Sequence, residues 1–311
     1  MRKRKYDVVT AGLQCIDLVV GPVRPGILER EVTTVESSQM LLGGDALNQA
    51  ITLANLGASV ALMGLIGKDR LGNVLLDQLS VYPALDVLNR QGDVSTTISI
   101  VVIDENNERH FIYQPSSNLA FAYEHIDEEA VKNASFLSIG GCLSLPSLDG
   151  EGMIRLLELA QSAGTRTALD FRVSDFRPDE ATLKEMLSRA DYVLPSEQEA
   201  EFLTGEKESP EIMVQRLRLL GAGNCVIKLG ERGCYIDADG YSGYIPAYPC
   251  RCIDTTGAGD NFAGAFLYAK TRGWDIIKCA RFANAAGSIA VENIGANGAI
   301  RSEAQLLERM G

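Results

Sequence analysis

Short β-prone runs alternate with segments of helical period along most of the chain. Residues 7–11 and 59–66 read as strands, and 46–56 between them as a helix stopped by Gly57. Met153, Leu156, Leu157 and Ala160 share one helical face, and Gly164 closes that helix. A strand at 167–169 follows. Helix and strand then pair twice more, at 181–190 with 192–194 and at 211–220 with 224–229. This alternation predicts a mainly parallel sheet covered by helices on both faces. Two stretches break the rhythm. Residues 97–103 and 109–113 predict a hairpin around the polar turn 104–108. Residues 13–42 hold β-prone pieces without a clear helix. The pattern therefore predicts one large α/β domain (1–12, 46–94 and 119–311) and a small β lid (13–45 and 95–118). Open α/β sheets bind ligands at their strand ends, which is where a lid is useful.

Composition narrows the options. At 311 residues the chain can bury a large core, in about one or two domains. A hydrophobic content of 46% with 23% charged residues excludes intrinsic disorder. Lys and Arg total 29 against 41 Asp and Glu, a net charge of -12, which argues against a nucleic-acid partner. The one basic run, Arg2, Lys3, Arg4 and Lys5, reads as a frayed, solvated terminus. Asp7 follows too soon for a secretory signal core. The longest apolar run, 58–66, is about half a membrane span, so no membrane partner is expected. His110 and His125 are too far apart in sequence to suggest a multi-histidine metal site, and both read as surface or structural residues. None of the seven cysteines forms a C-x-x-C pair. They read as reduced core thiols of a cytoplasmic protein. Only Cys250-Arg251-Cys252 stands out as a possible redox or metal pair.

The candidate chemistry lies in glycine-rich helix starts. Asp254-Thr255-Thr256-Gly257-Ala258-Gly259-Asp260 leads into a helix whose Phe262, Phe266 and Ala269 share a face, with Gly273 at its end. Backbone N–H groups at such a start, together with the helix dipole, suit an anion. The plainer reading is an ordinary capped helix start. Gly43-Gly44-Asp45-Ala46-Leu47-Asn48 opens a second helix, with Asn48 one turn in, where its amide can meet a hydroxyl. Here the plainer reading is a tight turn with Asp45 as the cap. Residues 64–72 carry Gly64, Gly67, Asp69 and Gly72. Neither a Rossmann fingerprint nor a Walker A loop occurs in the chain.

In this order the segments resemble the ribokinase-like (PfkB-type) carbohydrate kinase family over nearly the whole chain. The resemblance rests on Gly12 with Asp17, Gly43-Gly44-x-x-x-Asn48, the 64–72 segment, 108–113, the strand end 228–233 and the 254–260 motif. It implies a three-layer α/β/α sandwich with a β-sheet lid. It also implies transfer of the ATP γ-phosphoryl group to a hydroxyl of a small sugar. Asp260 is then the base, and Gly257, Ala258 and Gly259 form the anion hole. Beside a helix N-terminus, Asp260 is expected to have a low pKa. Asp17, Gly43, Gly44 and Asn48 are implied to hold the sugar. Ser196, Lys228, Gly230, Gly233 and Asn284 are implied to line the nucleotide site. Glu199 is implied to reach Mg²⁺ through water. Asp254 and the Thr256 carbonyl, with carbonyls between 291 and 296, are implied to hold a monovalent cation such as K⁺. Ser196 stands where relatives usually carry Asn, and Pro115-Ser116-Ser117-Asn118 replaces Pro-Gly-Ala-Asn. True ribokinases carry an acidic residue near Gly141 and Cys142, and this chain has none. A nucleoside kinase and an inactive sugar sensor of the same fold are the alternatives. A homodimer through the lid is also expected.

Overall fold

The computed structural model describes all residues except 1–3, 106–107, 174–177 and 206. Two residues of the expected basic terminus and the centre of the 104–108 turn lie outside the described residues. The main sheet has nine strands, in the order Tyr241–Ile245, Cys234–Ala238, Cys225–Lys228, Tyr192–Val193, Arg166–Phe171, Ala134–Cys142, Tyr6–Gly12, Val60–Met63 and Leu85–Val87. The first two of these strands are antiparallel to their neighbours, and the remaining pairs are parallel.

Alternate strand residues feed two separate cores, because successive side chains point to opposite faces. Val8, Phe136, Ala168 and Val226 join the cluster under the helices Asp45–Asn55, Ala258–Thr271 and Ile276–Ala290. Val9, Leu137, Leu169 and Ile227 join the cluster under the helices Glu151–Ser162, Glu180–Arg189 and Pro210–Leu219. The chain is thus a three-layer α/β/α sandwich. A separate four-stranded sheet, in the order Ser37–Gly43, Cys15–Val23, Ile98–Asp104 and Arg109–Gln114, supplies the smaller β element.

Three local expectations change. The 59–66 run is two strands, since Leu65–Gly67 leaves the main sheet and pairs with Arg90–Gly92. A Cβ at Gly64, the breakpoint, would overlap the Gln14 amide. Arg4 is not frayed: half-buried, it donates to the Gly164 carbonyl at 2.6 Å and to Thr165 Oγ1 at 2.7 Å. Asp45 does not cap its helix, since Gly44 is the N-cap and no side-chain cap bond forms. His125 is structural, its Nδ1 accepting from the Ala122 N–H at 3.0 Å. Among the described residues no helix is long and apolar enough to cross a membrane.

One helix crossing sets the site. The helix Ala258–Thr271 is buried along most of its length, from Asn261 to Ala269, so it lies between layers rather than on the surface. Against it packs Asp45–Asn55. A Cβ at Gly264 would lie 3.1 Å from the Gln49 carbonyl, so the absent side chain permits this close crossing. The Thr52 hydroxyl, 2.8 Å from Asn261 Oδ1, ties the two helices together. Asn261 Nδ2 in turn donates to the Gly257 and Ala296 carbonyls, at 2.8 and 2.9 Å.

Candidate active site

One turn before that tie, Asn48 Nδ2 donates to Asp260 Oδ2 at 2.7 Å. Asn48 Oδ1 is buried with no donor among the described residues, an unfilled acceptor beside the carboxyl group. Gly257 is the N-cap, at φ 72°, a left-handed conformation that glycine adopts without strain. The Ala258 N–H closes a turn on the Thr255 carbonyl at 3.2 Å. The N–H groups of Gly257 and Gly259 have no acceptor among the described residues. The two glycine amides are thus available to an anion.

Two cavities meet at this helix start. The larger, about 640 Å³, is lined by Gly230, Gly233, Tyr248, Cys252, Phe262 and Asn284, among others. The smaller, about 350 Å³, holds Asp45, Asp170, Arg172, Ser196, Glu199 and Asp260. Lys228, Gly230 and Gly259 line both. Lys228 therefore stands at their junction. Its Nζ donates to Asp170 Oδ1 at 2.5 Å, with side chains 12% and 2% exposed. Gln49 Nε2 holds the other Asp170 oxygen at 2.8 Å and is itself fixed by the Ser138 hydroxyl at 2.7 Å.

Charge is concentrated here. Burial pushes the Asp260 carboxyl well above its ordinary range, and the Asp45 and Asp170 carboxylates add to the effect. The hydrogen bond from Asn48 and the charge of Lys228 act the other way. The expected low pKa of Asp260 is thereby corrected: enclosure among acids outweighs the helix terminus. Burial also raises Asp45 and Glu199. Burial works against the charged form of Lys228, but Asp170 and Glu199 outweigh it and hold the ammonium charged. Arg172 is likewise held charged against burial, chiefly by Asp45.

The remaining expected residues divide. Ser196 and Glu199 both face the smaller cavity, and they also form a capping box. The Glu199 N–H donates to Ser196 Oγ at 3.3 Å, and the Ser196 N–H donates to Glu199 Oε2 at 2.6 Å. Asn284 lines the larger cavity, but its Nδ2 donates to the Ile245 and Pro246 carbonyls, at 3.0 and 3.1 Å. It fixes the cavity wall. A Cβ at Gly233 would overlap that same 245–247 backbone. Asp17 packs against Gly43, and neither lines either of these two cavities. Gly44 fits its helix start against the Leu13 and Gln14 backbone.

Two side chains of the expected monovalent-cation site, Asp254 and Thr256, are engaged by an arginine. Arg109, from the lid strand, donates to Asp254 Oδ2 at 2.5 Å and to Thr256 Oγ1 at 2.6 Å. Cys250 and Cys252 are exposed thiols at the rim of the larger cavity. Sequence reasoning missed Asp45 as a cavity residue, and it missed Asp170, Arg172 and Arg109. The available signal was charge in apolar strands: Asp170 and Arg172 flank Phe171 at the end of a buried run.

The pfkB family carbohydrate kinase model matches residues 5–303. Fructokinase-1 of Oryza sativa subsp. japonica is 28% identical, with 100% of this chain and 99% of the relative covered. Ribokinase of Haemophilus influenzae is 27% identical, with 89% and 90% covered. The solved structure of Arabidopsis thaliana ribokinase complexed with ribose and ATP matches with a TM-score of 0.81 and 25% identity, covering 98% of each chain. The match spans the fold, the glycine-rich helix start and both cavities. The chain belongs to the pfkB family of carbohydrate kinases, phosphotransferases with an alcohol group as acceptor.

Proposed function

We propose that the protein transfers the γ-phosphoryl group of ATP to a hydroxyl of a small sugar, with Asp260 as base. The observation that carries this reading is a raised-pKa carboxyl in the smaller cavity, next to the Gly259 that both cavities share, beside free helix-start amides. The sugar oxygen attacks the γ-phosphorus, its proton passes to Asp260, and ADP leaves. A carboxylate whose pKa is raised is a stronger base than an ordinary one, and the transition state asks mainly for positioning and charge. The Gly257 and Gly259 amides receive the transferring oxygens, with Ala258 turned in the free state. Lys228 adds a fixed positive charge below Gly259; a Cβ at Gly259 would lie 3.3 Å from its Nζ.

The larger cavity is assigned to the nucleotide, along Gly230, Gly233 and the Asn284 wall. Asn48 serves the sugar through its unfilled oxygen, while Asp17, Gly43 and Gly44 shape the base of the lid. Among the described residues, the smaller cavity holds Asp45, Asp170, Glu199 and Asp260 against Lys228 and Arg172, an acidic excess that fits a divalent ion arriving with ATP. Glu199, with Ser196 as its anchor, and Asp170 would hold Mg²⁺ through water. The ion neutralises phosphate charge when bound.

The fructokinase relative and the lack of an acidic residue at Gly141 and Cys142 favour fructose over ribose as the first substrate to test. Coupled ADP release against ketoses, aldoses, sugar acids and nucleosides tests the reading. Sugar-dependent turnover is expected. No turnover with any acceptor sinks it, and adenosine outpacing every sugar moves the assignment to a nucleoside kinase. We also propose a homodimer through the lid, supported by exposed Met40, Phe111 and Ile112 on its strands. The unpaired thiols support a reducing, cytoplasmic setting.

A further inference from the structure

Asp254 is a buried carboxylate, 1% exposed, at the foot of the anion loop, and a buried charge needs a counter-charge. That charge arrives from the lid. Arg109 opens the lid strand Arg109–Gln114, and its side chain, 17% exposed, crosses from the small sheet to the main domain. Nη2 meets Asp254 Oδ2 at 2.5 Å and Nη1 meets Thr256 Oγ1 at 2.6 Å, so one guanidinium grips both ends of the tripeptide before Gly257. The other valences of Asp254 are filled too. Oδ2 also accepts from the Gly295 N–H at 2.6 Å, and Oδ1 accepts from the Thr256 N–H at 2.9 Å.

Several flanking carbonyls are committed as well. Val291 accepts the Ile253 and Asp254 N–H groups, at 2.7 and 3.1 Å. Ala296 and Gly257 accept from the Asn261 side chain, at 2.9 and 2.8 Å. A monovalent cation implied by the family resemblance would therefore meet a carboxylate already paired with Arg109, carbonyls already accepting at Val291 and Ala296, and a like charge beside it. These residues do not fit the ion.

We propose that Arg109 takes the place of the monovalent cation, so that the anion loop is ordered by the lid and not by K⁺. Two consequences separate this arrangement from an ion-filled site. The protein is indifferent to the identity of the monovalent cation. Lid docking and loop order become one event, because the group that completes the loop is carried on the lid. Arg109 is a positioning residue here, acting through Asp254 and Thr256.

The rate measurement rests on the kinase reading, so a binding measurement that needs no turnover is paired with it. Thermal unfolding and sugar-dependent kcat are recorded in potassium chloride and in tetramethylammonium chloride at equal ionic strength. The wild-type protein is expected to show the same unfolding midpoint in both salts and rates within about twofold, well inside the range of ordinary ligand coupling. Arg109→Met keeps much of the apolar stem and removes the charge. Its kcat is expected to fall by roughly tenfold or more, with K⁺ raising both its midpoint and its rate. Arg109→Lys keeps a charge at the site and is expected to stay indifferent to K⁺. A K⁺-dependent midpoint or several-fold K⁺ activation in the wild type overturns the proposal, as does an Arg109→Met protein that ignores K⁺. If Arg109→Met does not fold, the wild-type and Arg109→Lys comparisons decide. If no acceptor is turned over, the kinase reading fails and the unfolding comparison still decides this one.

Discussion

Asp260 combines two features that sequence alone sets against each other, a helix start that favours negative charge and an enclosure that disfavours it. Burial and the neighbours Asp45 and Asp170 prevail, so its pKa is raised in the free enzyme. The base must be ionised to take a proton, so kcat/KM falls as pH drops through that raised pKa. The acid limb is expected to begin above the ordinary Asp value of about 4. A profile that stays flat down to ordinary carboxylate pH contradicts this assignment of the base. The 254–260 motif was readable because glycines followed by Asp at a helix start have a local meaning. Asp45 was not, because its place after two glycines looks like a cap. Only the turn at Gly44, which takes over the N-cap position, leaves that carboxyl to the cavity. Ser196 and Glu199 carried a second signal. Their Ser-x-x-Glu spacing is a capping box, and the box fixes the carboxylate that faces the cavity.

The pairing of Asp45–Asn55 with Ala258–Thr271 matters more than either helix alone. Asn48 reaches Asp260 because Thr52, one turn on, is held to Asn261, and because Gly264 leaves no side chain between the two helices. Gly264→Val inserts branched bulk where even a Cβ is tight. A loss of about 1–3 kcal/mol is expected from overpacking. A kcat deficit should accompany it, because the Asn48–Asp260 bond stretches. Calorimetry and steady-state rates check this, and an unchanged kcat would separate helix spacing from catalysis. Helix and strand periods were legible where one face is apolar, as in the helix holding Met153 and Leu156. They were less so where the chain changes sheets. The 59–66 run is continuous in hydropathy, yet it splits at Gly64 because Gln14 occupies the space a side chain would need. Nor does periodicity show that Arg109 leaves its own sheet.

Across the whole molecule, the net charge of -12 does not describe the site. Lys228, Arg172 and Arg109 lie among buried carboxylates, so positive charge is held locally inside a repulsive average field. The lid completes this arrangement from one side while its strands expose apolar residues. Light scattering is expected to give a dimer mass, and Phe111→Glu with Ile112→Lys is expected to give a monomer. A wild-type monomer at working concentration rules the dimer out. The three-layer architecture was legible from the alternation of strands and helices, because each period reports one buried face. The union of two cavities at one helix start, with Asp260 beside it, was not, because it depends on strand order, which brings 45, 170, 228 and 260 together from distant parts of the chain. That union is the central claim, and Asp260→Asn tests it most directly. Its kcat with the preferred sugar is compared with the wild type, and sugar affinity is measured separately by calorimetry. The account predicts a kcat loss on the order of 10²-fold or more with affinity retained, the scale of losing a general base. An Asp260→Asn protein that turns over ATP and sugar at the wild-type rate would contradict it.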